Sequence, residues 1–454
     1  MSLKTESLAS MCEAVIDCPH STPVWTKSGY VVLRNQNIKD GRLDLSEPSF
    51  TDEEHFKQRI RRMAPRSGDI VITREAPMGE VCRIPEGLTC CLGQRQVLLR
   101  PKADVDGDYL LYALQSPFVQ NQIRWNEGTG STVSNIRIPV LEKIEIPRND
   151  KAETSIAKAL SSLDSKIDLN RRINQTLEAM AQTIFKSWFV DFDPVKAKIA
   201  AIEQGQDPLR AAMRAISGKT DAELDQMPRE QHDQLAATAA LFPDVMEESE
   251  LGEIPKGWAF QAADLLTEVG IGKTPPRKEP QWFTEGEGDW RWVSIKDMGT
   301  SGVFQQRSSE FLTSEAVSRF NVRVVPDRTV LLSFKLTIGR VAITDGTMVT
   351  NEAIAHFKLP SDAAISSEYL YLYLKSFDYS TLGSTSSIAD AVNSKTIREM
   401  PVILANSDLI DCFTKSVIPI FEEVRNRQNE IAVLGATRDT LLPKLLSGEI
   451  EVPA

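Results

Sequence analysis

Several groupings in this 454-residue chain have the composition of a chemical site, and each fails on spacing. An amino-methyltransferase holds an extruded base with an Asn/Asp-Pro-Pro-aromatic loop. The chain's one Pro-Pro lies in Thr274-Pro275-Pro276-Arg277, which lacks both the acceptor and the aromatic ring. Gly270-Ile271-Gly272-Lys273-Thr274 imitates the tail of a phosphate-binding loop. The pattern needs glycine where Thr267 stands, and Pro275 and Pro276 would break the helix such a loop must open. His20, His55, His232 and His356 show no metal-ligand spacing with one another or with cysteine. There is no Gly-x-Ser-x-Gly elbow and no clean Asp…Glu-x-Lys nuclease pattern. An enzyme would have to work with degenerate motifs.

What stands out is basic and polar. Lys57, Arg59, Arg61, Arg62 and Arg66 crowd ten residues, and helical spacing would put Arg59, Arg62 and Arg66 on one face. That face reads either as solvated, balanced by Asp52, Glu53 and Glu54, or as a phosphate-contacting patch. Arg74 and Lys335 fall in equivalent loops of two copies, with Arg340 just beyond the second. Arg124, Asn126, Ser131, Thr132, Ser134 and Asn135 form a Gly-rich polar stretch, matched by Ser384, Thr385, Ser386, Ser387 and Asn393. Such side chains suit base edges and phosphates, and equally suit plain turns.

The elements that must position these residues are written twice. Gly68-Asp69-Ile70-Val71-Ile72-Thr73-Arg74-Glu75-Ala76-Pro77-Met78-Gly79-Glu80-Val81 has a partner in Thr329-Val330-Leu331-Leu332-Ser333-Phe334-Lys335-Leu336-Thr337-Ile338-Gly339-Arg340-Val341, at a period of 260. Tyr109-Leu110 and Tyr369-Leu370 keep that offset. Residues 1–148 read as α/β or α+β with many short strands: Tyr30–Leu33, Asp69–Thr73, Gln96–Leu99 and Ile144–Ile146 are strand-like, and Asp108–Leu114 is a short buried helix. Within 149–193, Ile156, Leu160, Leu163, Ile167, Asn170, Asn174, Leu177, Ala181, Ile184 and Trp188 step by four and three, an a/d seam. Asp193-Pro194 ends that helix, and 194–250 reads as a linker with short amphipathic helices. The second globular unit is 251–404. A second seam fills 405–454: Ile410, Phe413, Val417, Ile420, Val424, Arg427, Ile431, Leu434, Arg438, Leu441 and Leu445, with a start or kink at Pro419. Matched polar breaks, Asn170 and Asn174 against Arg427, imply that the two helices pair, antiparallel. A duplicated unit plus a duplicated helix implies a pseudo-two-fold molecule suited to a two-fold partner such as duplex DNA.

A net charge of −11 argues against a general nucleic-acid binder. The charge is 0 over 1–148, −6 over 149–250, −2 over 251–404 and −3 over 405–454, so DNA contacts must come from local patches on the globular units. Six cysteines without a Cys-x-x-Cys imply reduced, buried thiols in a cytoplasmic protein. No run is long and apolar enough for a membrane span, and the N-terminus lacks a secretory apolar segment.

Taken in order and in duplicate, these residues resemble the specificity subunit of type I restriction–modification systems. In the first copy the likeness rests on Asp17-Cys18-Pro19-His20-Ser21-Thr22-Pro23, the 68–81 segment and Gly93-Gln94-Arg95. In the second it rests on Gly272-Lys273-Thr274-Pro275, Trp292-Val293-Ser294-Ile295-Lys296-Asp297, the segment from Leu332 to Gly339 and Thr350-Asn351-Glu352-Ala353-Ile354. Asp191-Phe192-Asp193-Pro194 and Leu251-Gly252-Glu253-Ile254-Pro255-Lys256-Gly257-Trp258 match the boundary between the family's halves. The resemblance implies two target-recognition domains on an antiparallel two-helix spacer, each reading half of a split DNA site. It further implies a non-catalytic subunit without cofactor of its own. Its partners would be double-stranded DNA, two modification subunits using S-adenosylmethionine, and restriction subunits using ATP and Mg2+. A coiled-coil scaffold without DNA readout is the other alternative.

Overall fold

The computed structural model describes residues 4–125, 135–149, 152–284, 286, 288–382 and 392–452. Two compact units result, one of residues 1–169 with 431–454, the other of residues 170–430.

In the first unit a four-stranded antiparallel sheet runs Cys12–Asp17, Gln96–Pro101, Ile70–Thr73, Val81–Arg83 in spatial order. Ile70–Thr73 is a continuous apolar run because both faces are covered. Ile70 and Ile72 join one cluster with Tyr109 and Leu110, while Val71 joins another with Leu33 and Cys82. A smaller sheet pairs Tyr30–Leu33 with Ser49–Thr51 antiparallel and with Cys90–Leu92 in parallel. The expected buried helix is Gly107–Gln115, capped by Asp106 accepting from the Asp108 and Tyr109 amides.

The second unit repeats this plan. Its sheet runs Glu268–Ile271, Ile354–Lys358, Val330–Ser333, Val341–Thr344, then Phe304–Gln305. The period reaches side-chain detail: buried Tyr109 donates to the Pro147 carbonyl at 3.0 Å, and buried Tyr369 to the Ile403 carbonyl at 2.8 Å.

Two long helices carry the seams: Glu153–Phe189 and Ser407–Ser447. At about 1.5 Å per residue they are roughly 55 and 60 Å long. They run antiparallel. Ile156 and Leu160, near the start of the first, bury with Leu442, Leu445 and Leu446, near the end of the second. Phe185 and Phe189, at the end of the first, stack edge-on against Phe413, near the start of the second, at 5.6 and 5.0 Å. Ile167 and Val424 are buried; Leu163, Leu177, Ile420, Ile431 and Leu434 are half-buried.

Two boundary expectations are corrected. The second long helix does not start at Pro419; it begins at Ser407 and runs through. Proline forfeits one main-chain hydrogen bond, and Pro419 sits exposed, while Val417 and Phe421 on either side are buried. Asp193-Pro194 does not end the first helix, which stops at Phe189; it opens the next, Asp193–Glu203, after Phe192 takes the left-handed conformation at φ 56°. Beyond it Pro208–Ser217, Asp221–Asp225 and Arg229–Ala240 close on a small core of Ala212, Met213, Leu224 and Ala239.

Candidate nucleic-acid interface

The predicted DNA-contacting residues separate into buttresses and exposed cations. Arg59 is a buttress. The helix bearing it, Glu53–Arg59, ends there, so Arg59, Arg62 and Arg66 share no helical face. Arg59 is 7% exposed, and its guanidinium donates to the main-chain carbonyls of Leu92 and Gly93 at 2.8 Å each and of Ser21 at 3.1 Å. Burial pushes the neighbouring Cys91 thiol up to about 11, which keeps it neutral beside that cation. Arg59 is therefore removed from the phosphate-contacting set: every face of its fork is already satisfied inside the domain. Arg61 and Arg62 lie past the helix and are exposed, Arg62 reaching the Asp17 carbonyl at 3.2 Å. Arg66 is exposed and pairs with Glu13 at 3.4 Å.

Arg74 is a second buttress. Its side chain is 12% exposed and ties three loops at one end of the sheet. It meets Asp17 at 2.8 Å, the Ile136 carbonyl at 3.0 Å and Asn135 at 3.4 Å. Asn135 in turn donates to Glu75 at 2.8 Å, and Glu75 holds the half-exposed Arg95 at 3.1 Å. Asp17 also meets exposed His20 at 3.1 Å. The result is a cross-linked polar floor with Arg62, Arg95, Arg137 and His20 at its exposed margin. Arg95, Arg137 and His20 are exposed cationic or titratable side chains that were not among the contact candidates named from the sequence. Arg95 stood in a quoted motif, yet its positive φ of 66° and its tether to Glu75 are tertiary facts. Arg124 is exposed at the end of Pro117–Trp125. Ser131, Thr132, Ser384 and Thr385 lie outside the described residues.

The second unit builds the same strand-end surface with other side chains. Thr73 and Ser333 occupy one position: each main-chain carbonyl accepts from a glycine, Gly79 at 2.9 Å and Gly339 at 3.0 Å. Each side-chain hydroxyl accepts the next amide, of Glu80 and Arg340, at 3.0 Å. The loop pairs also correspond. Gln94 donates to the His20 carbonyl in the first unit, and the Thr274 hydroxyl donates to Glu352 in the second. Gly272 is required there, because a Cβ would stand 2.1 Å from the Asn351 carbonyl oxygen. Lys335 is exposed, its ammonium 5.4 Å above the Phe334 ring. Arg340 is half-buried and donates to the Ile295 carbonyl at 2.6 Å, which assigns it to holding the Ile295–Met298 turn.

The family model for the type I restriction modification DNA specificity domain matches residues 18–179 and 255–407, once per repeat. The chain belongs to this family. It is 34% identical over 340 residues to the type I restriction enzyme HindI specificity subunit of Haemophilus influenzae, covering 71% of this chain and 73% of that one. It is 25% identical over 407 residues to the MjaIX specificity subunit of Methanocaldococcus jannaschii, covering 88% and 81%. The crystal structure of the type I S subunit from M. genitalium shares the fold at a TM-score of 0.50 and 15% identity, covering 98% of this chain and 96% of that one. Among the described residues no group of His, Cys, Asp and Glu is arranged to hold a metal ion, and no helix is long and apolar enough to cross a membrane.

Proposed function

We propose that this chain reads a bipartite DNA sequence for a type I restriction–modification assembly. Each repeat reads one half, and the antiparallel helices set the gap. Carrying this reading is the strand-end loop surface built twice at one period, with a cross-linked floor and cationic margin in the first copy. Phosphates are met by Arg61, Arg62, Arg95 and Arg124 in the first unit and Lys335 in the second, which positions the chain; loop side chains specify bases. The chain itself performs no chemistry. Two modification subunits dock and methylate adenine with S-adenosylmethionine, and restriction subunits add ATP- and Mg2+-dependent translocation and cleavage. The acidic helices suit protein partners better than phosphate, since like charge repels the duplex.

The test is to co-express the chain with the modification subunit encoded beside it and map adenine methylation across the host genome. A split motif with a fixed gap, methylated in both halves, is the expected result. A soluble, assembled complex that leaves no such motif would sink the reading.

A further inference from the structure

Leu336 is 97% exposed, at the apex of the loop joining Val330–Ser333 to Val341–Thr344. Its backbone is left-handed, with φ at 61°. A lone exposed leucine is ordinary, but this one carries two costs at once. Its side chain is wetted, and a left-handed leucine costs roughly 1–2 kcal/mol that glycine would not. The loop does use glycine where it turns again, at Gly339 with φ 90°. The apex is also rigid. Ser333 donates its hydroxyl to the Thr337 carbonyl at 2.6 Å, the Thr337 amide donates to the Lys335 carbonyl at 2.7 Å, and Gly339 closes onto Ser333 at 3.0 Å. Among the described residues, nothing inside the unit repays this display. In the first unit the same position is Ala76, exposed and also left-handed, with φ at 44°. Both repeats thus hold an apolar side chain outward from the strand-end loops, small in one and large in the other, with Lys335 beside the large one.

We propose that Leu336 is a specificity-determining residue of the second unit, making an apolar contact to a base edge of the class a thymine methyl offers in the major groove. This rests on the reading that the second unit reads one half-site. The cation at Lys335 favours duplex DNA over a protein partner as the occupant, because the side chain next to the apolar tip is the one that meets phosphate.

The test compares the wild-type chain with Leu336→Asn and Leu336→Met, each assembled with the modification subunit. Asparagine tolerates the left-handed backbone, so the Asn variant keeps or raises Tm, and methionine keeps the apolar contact. In the Asn variant one position of one half-site becomes degenerate in the methylation map, the other half and the gap stay fixed, and preference at that position falls about tenfold. The Met variant restores the preference. An unchanged motif in the Asn variant overturns the assignment, as does equal weakening on all sequences. Loss of the modification subunit on co-purification overturns it too, marking the apex as a protein contact. If the wild-type assembly writes no split motif, the functional reading itself fails first.

Discussion

Asn170 donates its side-chain amide to Glu430 at 2.8 Å, and the two are 260 residues apart, the period of the duplication itself. Asn170 is fully buried there, and its carbonyl oxygen accepts from Arg427 at 2.9 Å, while Arg427 pairs with Glu423 at 2.5 Å. The polar layer leaves the Asn174 amide oxygen buried without a partner.

Asn170 and Asn174 should therefore respond differently to mutation. Asn170→Ala removes one buried hydrogen bond each from Arg427 and Glu430 and is expected to destabilise by about 1–3 kcal/mol in denaturant unfolding. Asn174→Leu removes an unsatisfied oxygen and is expected to be neutral or stabilising. Equal losses from both would show that the layer is not an energetic unit.

The arginines of residues 57–66 should split into two phenotypes. Arg59→Ala leaves the buried Leu92 and Gly93 carbonyls without their guanidinium donor and should cost about 2–4 kcal/mol of stability. Arg61→Ala and Arg62→Ala should leave Tm in place and lower the slope of log affinity for duplex DNA against log salt by about one each. Salt titrations beside thermal melts decide it; an Arg59 variant of normal Tm would contradict its placement.

Lengthening the helices should lengthen the gap. One heptad inserted in each helix, after Leu177 in the first and before Ile420 in the second, keeps the seam and the polar layer in phase. Seven residues add about 10 Å, close to three base pairs. The methylation map should show both half-sites intact and a gap about three base pairs wider. Altered half-sites would refute the spacer role.

Acid should weaken the second unit through His356. Burial, aided by the Arg323 charge, lowers its pKa to about 3, and its ring meets the Thr350 hydroxyl at 2.5 Å. The unfolded chain takes up a proton near 6.5 and the folded one does not. The histidine's contribution is thus fully present above about 6.5 and is lost as pH falls toward 3. Between pH 7 and 5 the loss is about 2 kcal/mol, and His356→Gln should flatten that slope in melts at the two values.

Periodicity made the duplication and both seams legible, because alternation by four and three reports a helix face without knowing its partner. Strands at Tyr30–Leu33 and Ile70–Thr73 were legible for a similar reason: short β-branched runs bounded by glycine and asparagine leave the backbone few options. Pro419 misled because the burial of Val417 and Phe421, two residues to either side, offsets a proline's local penalty. Strand-end loops were legible as motifs but not as sites.

From the sequence alone came the period, the helices, the charge partition and the family resemblance, all properties that nearby residues or long repeats impose. Tertiary structure alone decided which cations face solvent. Arg59 and Arg62 are indistinguishable by type and spacing. The carbonyls that hold Arg59 belong to Ser21, Leu92 and Gly93, more than thirty residues away along the chain. An arginine's role is set by what surrounds its guanidinium, and those surroundings exist only once distant loops have closed over it.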